Sequence, residues 1–132
     1  MTVADSSVWI DYFNGVESIE TDALDALLGE REILVGDLIL LEVLQGFATE
    51  AAFRRARSLL GQFPQATMLT PELAVVAARN HRRLRRRGIT VRKTIDIAIG
   101  TFCLRHHHDL LYTNRDFDPM VKHLGLRPTI AR

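Results

Sequence analysis

The chain has 132 residues, 47% hydrophobic and 25% charged, with a formal net charge of +1. That balance fits one soluble globular domain spanning 1–132, built on one core. A single cysteine, Cys103, excludes an internal disulfide and fits a reducing cytosol. No apolar run approaches a membrane span, and Met1–Asp5 does not open a signal peptide, so the expectation is a cytoplasmic protein without a membrane role.

In chain order, Thr2–Ala4 reads as a short buried strand and Ser6–Phe13 as a helix ended near Gly15. Thr21–Arg31 is amphipathic, with Leu24, Leu27 and Leu28 on one face. Ile33–Val35 is a second strand, and Asp37 can cap a helix reaching about Phe47. A further helix is expected over Glu50–Gln62 and a third strand over Gln65–Leu69. Thr70-Pro71-Glu72 combines a capping hydroxyl, a proline at the first helical position and an acid in the first turn. That helix continues to Arg87 and stops at Gly88. Thr94 opens another helix ending near His107, followed by a strand over Leu110–Thr113. Asp118–Leu124 is the last helix, and Arg127–Ile130 is a candidate fifth strand. Short apolar strands alternating with helices imply an α/β fold, a parallel sheet sandwiched between helices.

Within this pattern a carboxylate interrupts apolar sequence four times: at Asp5, Glu42, Asp96 and Asp116. An ionised carboxylate is costly to bury without a partner, and no lysine or arginine is comparably placed for each. Asp5 follows the first strand and Asp116 comes shortly after the fourth, which places both near the carboxyl-end crevice of an open α/β sheet. Asp96 lies in the first turn of its helix, where the dipole favours an anion. Four acids in one pocket repel strongly; at about 4 Å and an effective dielectric of about 20, each pair costs roughly 4 kcal/mol. A divalent cation offsets that repulsion, and oxygen-only ligation favours Mg2+, with Mn2+ as the alternative. Gly46 and Gly100 each follow an acid by four residues. A glycine in a helix costs about 1 kcal/mol against alanine, so the pair is expected to keep Glu42 and Asp96 uncovered.

Four segments carry a resemblance. They are Val3-Ala4-Asp5-Ser6-Ser7, Leu41-Glu42-Val43-Leu44-Gln45-Gly46, Thr94-Ile95-Asp96-Ile97-Ala98-Ile99-Gly100 and Leu111-Tyr112-Thr113-Asn114-Arg115-Asp116-Phe117. In this order, over essentially the whole chain, the sequence resembles the PIN-domain ribonucleases, and among them the VapC toxins of bacterial and archaeal toxin–antitoxin pairs. The resemblance implies a PIN-like α/β/α sandwich with a short, mainly parallel central sheet. It implies a metal-dependent endoribonuclease in which Asp5, Glu42, Asp96 and Asp116 hold Mg2+ or Mn2+. Ser6 and Asn114 match supporting positions; many members carry an acid where Asn114 stands, so metal number stays open. The implied partners are a structured RNA such as tRNA or rRNA, a second copy of the chain, and a small antitoxin that sends a peptide, often with an arginine, into the acidic pocket. The competing readings are a non-catalytic RNA-binding or scaffold domain of the same fold and a stand-alone RNA-processing nuclease.

Charge distribution adds a basic patch. Eight of the 17 lysines and arginines lie between Arg79 and Lys93. Positions 79, 82, 83 and 86 share a helical face, and arginine suits bidentate phosphate contacts. The expected RNA-binding residues are Arg86, Arg87, Arg92 and Lys93, the last two because they precede the helix bearing Asp96. A solvated face with stray pairs to Glu72 is the alternative. His106-His107-His108 cannot chelate one ion well from consecutive helical positions and is expected to be structural. Cys103 is expected in the core, and Trp9, Tyr12 and Phe13 in core packing or at a dimer or antitoxin surface.

Overall fold

The computed structural model describes residues 1–131. Its elements are β1 (Thr2–Ala4), α1 (Ser6–Phe13), α2 (Ile19–Glu30), β2 (Ile33–Gly36), α3 (Asp37–Leu44) and α4 (Glu50–Leu60). They continue as β3 (Gln65–Ala66), α5 (Pro71–Arg86), α6 (Thr94–His106), β4 (Asp109–Leu111), a 3-10 turn at Arg115–Phe117, and α7 (Asp118–Leu124). The strands pair in the order β3-β2-β1-β4, all parallel. Every residue of β1 is buried, as a central parallel strand requires. Helices α1 to α4 pack in succession, α2 and α3 each against α1 and α4 against α3, while α6 and α7 both pack on α5, giving the helix layers of an α/β/α sandwich. Val3, Trp9, Leu24, Ile33, Ile39, Leu60, Ile99, Leu110, Phe117 and Met120 anchor the core.

The strand order locates the functional crevice. From β1 the chain moves outward through β2 and β3, then returns to place β4 on the other side of β1. The direction of winding therefore reverses at β1, and the carboxyl ends of β1 and β4 flank the switch point where α/β sheets open a cleft. Asp5 extends β1 there, its N–H donating to the Leu111 carbonyl at 2.8 Å.

Several boundaries differ from expectation, each for a local reason. Helix α2 starts earlier, at Ile19, because Ser18 caps it: Ser18 Oγ accepts from the Thr21 N–H, and Thr21 Oγ1 in turn accepts from the Ser18 N–H. Asp37 is the first residue of α3 rather than its cap, and its carboxylate accepts from the N–H groups of Leu38 and Met68. Strand β3 stops at Ala66 instead of reaching Leu69 because its partner β2 ends at Gly36, opposite Ala66, where α3 begins. Helix α3 ends at Leu44, not near Phe47. The expected fifth strand is a single bridge, Leu110 to Pro128; Pro128 has no N–H to continue a ladder. Thr70 caps α5 as expected, accepting from the Leu73 N–H at 3.1 Å.

The reading of the two glycines is corrected. A Cβ on Gly100 would lie 2.2 Å from Met120 Sδ, so Gly100 admits a packed side chain of α7 to the back of α6. Gly46 lies beyond the end of α3 and cannot uncover Glu42 as a helical neighbour. The aromatic residues divide in favour of packing: Trp9 is fully buried and stacks on Phe13, which meets Phe47 edge-on. Cys103 is buried, and burial raises its thiol pKa, leaving it unreactive. His106 and His108 lie on Phe102, and His107 adopts the left-handed conformation that ends α6.

Candidate active site

Asp5, Glu42, Asp96 and Asp116 line one open cavity of 600 Å3, together with Ser6, Ser7, Ile10, Gln45, Arg92, Lys93 and Asn114. Each acid arrives on a different element. Asp5 follows β1 directly and is the N-cap of α1, so it serves both the helix and the cavity. Glu42 projects from the second turn of α3, Asp96 from the first turn of α6, and Asp116 from the 3-10 turn after β4.

Each carboxylate is oriented from within the chain. Ser7 donates to Asp5 Oδ2 from its hydroxyl at 2.6 Å and from its N–H at 3.3 Å. Ser6 Oγ donates to Glu42 Oε1 at 3.1 Å. Asn114 ties two acids together: its Nδ2 donates to Asp96 Oδ2 at 3.1 Å and its Oδ1 accepts from the Asp116 N–H at 3.0 Å. Arg92 Nη2 stands 3.6 Å from Asp116 Oδ1. Ser7 and the Arg92–Asp116 pair were not apparent in the sequence. The Asp-Ser-Ser spacing carries a signal for Ser7, since a cap at Asp5 leaves the second serine beside its carboxylate. Nothing local signals a pair separated by 24 residues.

The electrostatics match acids gathered without enough counter-charge. Desolvation raises the pKa of Asp5, and desolvation with the Asp5 charge raises that of Glu42. Asp96 is pushed up to about 6, first by desolvation, then by Asp5 and Glu42. The Lys93 charge opposes the rise at all three. Asp5 Oδ1 is buried with no hydrogen-bond partner, an acceptor whose desolvation is uncompensated by the protein. Among the described residues no three His, Cys, Asp or Glu side chains form a ready-made cation shell; the oriented carboxylates instead face their serine, asparagine and arginine partners. The donor set is nonetheless all oxygen, and its one orphaned buried acceptor fits a hard divalent cation.

The four basic residues lie in two places. Arg92 and Lys93 border the acid cavity, whereas Arg86 and Arg87 line a separate recess with Arg83 and His123. Glu72, the alternative partner for the arginines of α5, pairs with Arg105 of α6 at 2.5 Å.

The PIN domain family model matches residues 2–122. The chain belongs to the PIN-domain family. Across its full length it is 27% identical to ribonuclease VapC11 of Mycobacterium tuberculosis, covering all of both chains. It shows the same 27% identity and complete coverage with VapC ribonuclease Mb1587 of Mycobacterium bovis. The acid cavity of this PIN domain lies where its own strand order opens the sheet. No helix among its described residues is long and apolar enough to cross a membrane.

Proposed function

We infer that this PIN domain is an RNA-cleaving toxin of a toxin–antitoxin pair, an endoribonuclease that requires Mg2+ or Mn2+. The observation that carries the reading is that four acids from four elements line one cavity, and one of them, Asp5, keeps a buried carboxylate oxygen without a partner. Full-length similarity to VapC ribonucleases supports RNA as the substrate. Asp5, Glu42, Asp96 and Asp116 would hold the cation. When bound it supplies a polarised phosphate oxygen and a water of lowered pKa for attack at phosphorus.

The chain's own groups do the rest. Ser7, Ser6 and Asn114 fix the carboxylates of Asp5, Glu42 and Asp96, and so limit the reorganisation needed during reaction. Lys93 and Arg92 supply positive charge at the rim, where an RNA phosphate enters a cavity that would otherwise repel it. The oxygen of water bonds to phosphorus as the phosphorus–oxygen bond to the departing RNA fragment breaks, and the proton that the water gives up is balanced by one taken up from solvent at the departing oxygen. The same acidity suits an antitoxin peptide: an arginine from a partner can take the place beside Asp116 that Arg92 holds within the chain. We also propose that two copies pair through the apolar groove between α5, α6 and α3.

Purified protein incubated with mixed tRNA and rRNA should generate new RNA ends with Mg2+ or Mn2+ and none with chelator. Asp5→Asn and Asp96→Asn should lower the rate at least 100-fold with unchanged circular dichroism. Full activity in Asp96→Asn would defeat the reading. Tight RNA binding without cleavage at every cation concentration would favour the non-catalytic alternative.

A further inference from the structure

The arginines of α5 do not present one face. Arg82 and Arg85 border the apolar groove, while Arg83, Arg86 and Arg87 turn into a recess of 340 Å3 closed on its other side by His123 and Leu124 of α7. All three guanidinium groups are exposed, and none has a carboxylate partner among the described residues. No carboxylate lines the recess, and the acids Glu72 and Asp109 are paired with Arg105 and Arg127.

Like charges gathered in a concavity need an explanation beyond solvation. Part of it is local: α5 ends at Arg86 and α7 at Leu124, so two helix C-termini lend partial negative charge to the same region. That offsets repulsion but leaves the planar N–H forks without acceptors. Desolvation lowers the His123 pKa, and the neighbouring charges of Arg87 and Lys122 lower it further. Guanidinium forks from one helix facing an imidazole from another match the bidentate geometry of a phosphate.

The recess also stands in a fixed relation to the acid cavity. Arg87 and Arg92 are five residues apart, so the two rims are separated by at most about 18 Å of chain. One RNA can reach both. Resting on the nuclease reading above, we propose that Arg83, Arg86, Arg87 and His123 form a second phosphate-binding recess, distinct from the acid cavity, that grips the backbone of the substrate RNA away from the cut. Such an anchor favours folded RNA, which brings two stretches of backbone close together.

The test uses full-length protein carrying Asp96→Asn to suppress cutting, with an unfractionated tRNA pool as probe. Binding is measured over a salt series, with and without Arg86→Gln/Arg87→Gln, and with Arg54→Gln/Arg55→Gln of α4 as the charge-matched control. The recess variant should weaken binding roughly tenfold at low salt and reduce the slope of log K against log salt by about 1 to 2, as expected for one or two lost phosphate contacts. The control should change neither by as much. An unchanged slope, or an equal change in the control, overturns the recess. Polyglutamate that displaces tRNA from the recess and binds it more tightly also overturns it, in favour of an acidic protein partner. Cleavage of the same tRNA pool by protein with Asp96 intact is scored separately. Cleavage with an unchanged slope removes the recess alone, whereas absence of both RNA binding and cleavage removes the nuclease reading with it.

Discussion

Asp96 shows how one residue can oppose the fold that positions it. Its pKa is raised from 3.8 to about 6 by desolvation and by Asp5 and Glu42. The folded protein therefore binds this proton more tightly than the unfolded chain. Without divalent cation, the associated stability is fully present below the unfolded value of 3.8 and is lost as pH rises through about 6. In chelator, the melting temperature should fall as pH rises from about 4 to 7, and Asp96→Asn should remove much of that fall. At pH 7 the variant should be more stable by on the order of 1–2 kcal/mol, while the nuclease reading expects it to lose cleavage. Mg2+ should stabilise the unsubstituted protein more than the variant. Thermal melts across pH, with and without cation, check this; an Asp96→Asn protein less stable throughout would contradict it. The four acids were legible because a carboxylate in apolar sequence is locally anomalous. Their partners were legible only in part: Ser6 and Asn114 sit beside acids, whereas Arg92 finds Asp116 through the fold alone.

At the scale of elements, what sequence conceals is which surface meets which. The Glu42–Gly46 and Asp96–Gly100 spacings are identical, yet the two glycines have unrelated roles. Gly100 faces Met120, fully buried on α7, and an added Cβ would lie 2.2 Å from its sulfur. Gly46 follows α3, and its nearest neighbour to an added Cβ is the Val43 carbonyl at 3.6 Å. Gly100→Ala should therefore cost about 1–3 kcal/mol by overpacking. Gly46→Ala should be neutral or slightly stabilising through the unfolded chain. Met120→Ala in the Gly100→Ala background should recover part of the loss, a coupling that denaturant midpoints over the double-mutant cycle would measure. A Gly100→Ala protein with unchanged stability but altered cleavage would restore the idea that this glycine keeps the acid open. Caps were similarly uneven. Thr70-Pro71-Glu72 announced α5, but the Ser18 cap of α2 uses Thr21 where a glutamate or glutamine is the usual signal.

For the whole molecule, alternation of strands and helices conveyed the parallel sandwich, because burial on both faces demands continuous apolar strands. It did not convey the order β3-β2-β1-β4, since short apolar strands do not specify their neighbours. Nor did it reveal the groove of 620 Å3 lined by Leu38, Leu69, Ala77, Ala78, Ile95 and Ala98. Its alanines keep the floor low enough for a helix to approach closely. Leu41, Leu69 and Val75 stand 58%, 44% and 53% exposed in the helices and loop around it, an apolar concentration that a monomer has reason to cover. On the pairing proposed above, a second copy would supply matching projections by two-fold symmetry, each protomer's exposed leucines entering the other's groove. Light scattering should then give twice the chain mass at micromolar concentration. Leu69→Arg, a change at an already exposed position, should shift the protein to monomer without altering its circular dichroism, because added positive charge beside Arg82 and Arg85 opposes pairing while leaving the core intact. A monomeric unsubstituted protein would refute this assignment of the groove while leaving the acid cavity, which each chain builds alone, untouched.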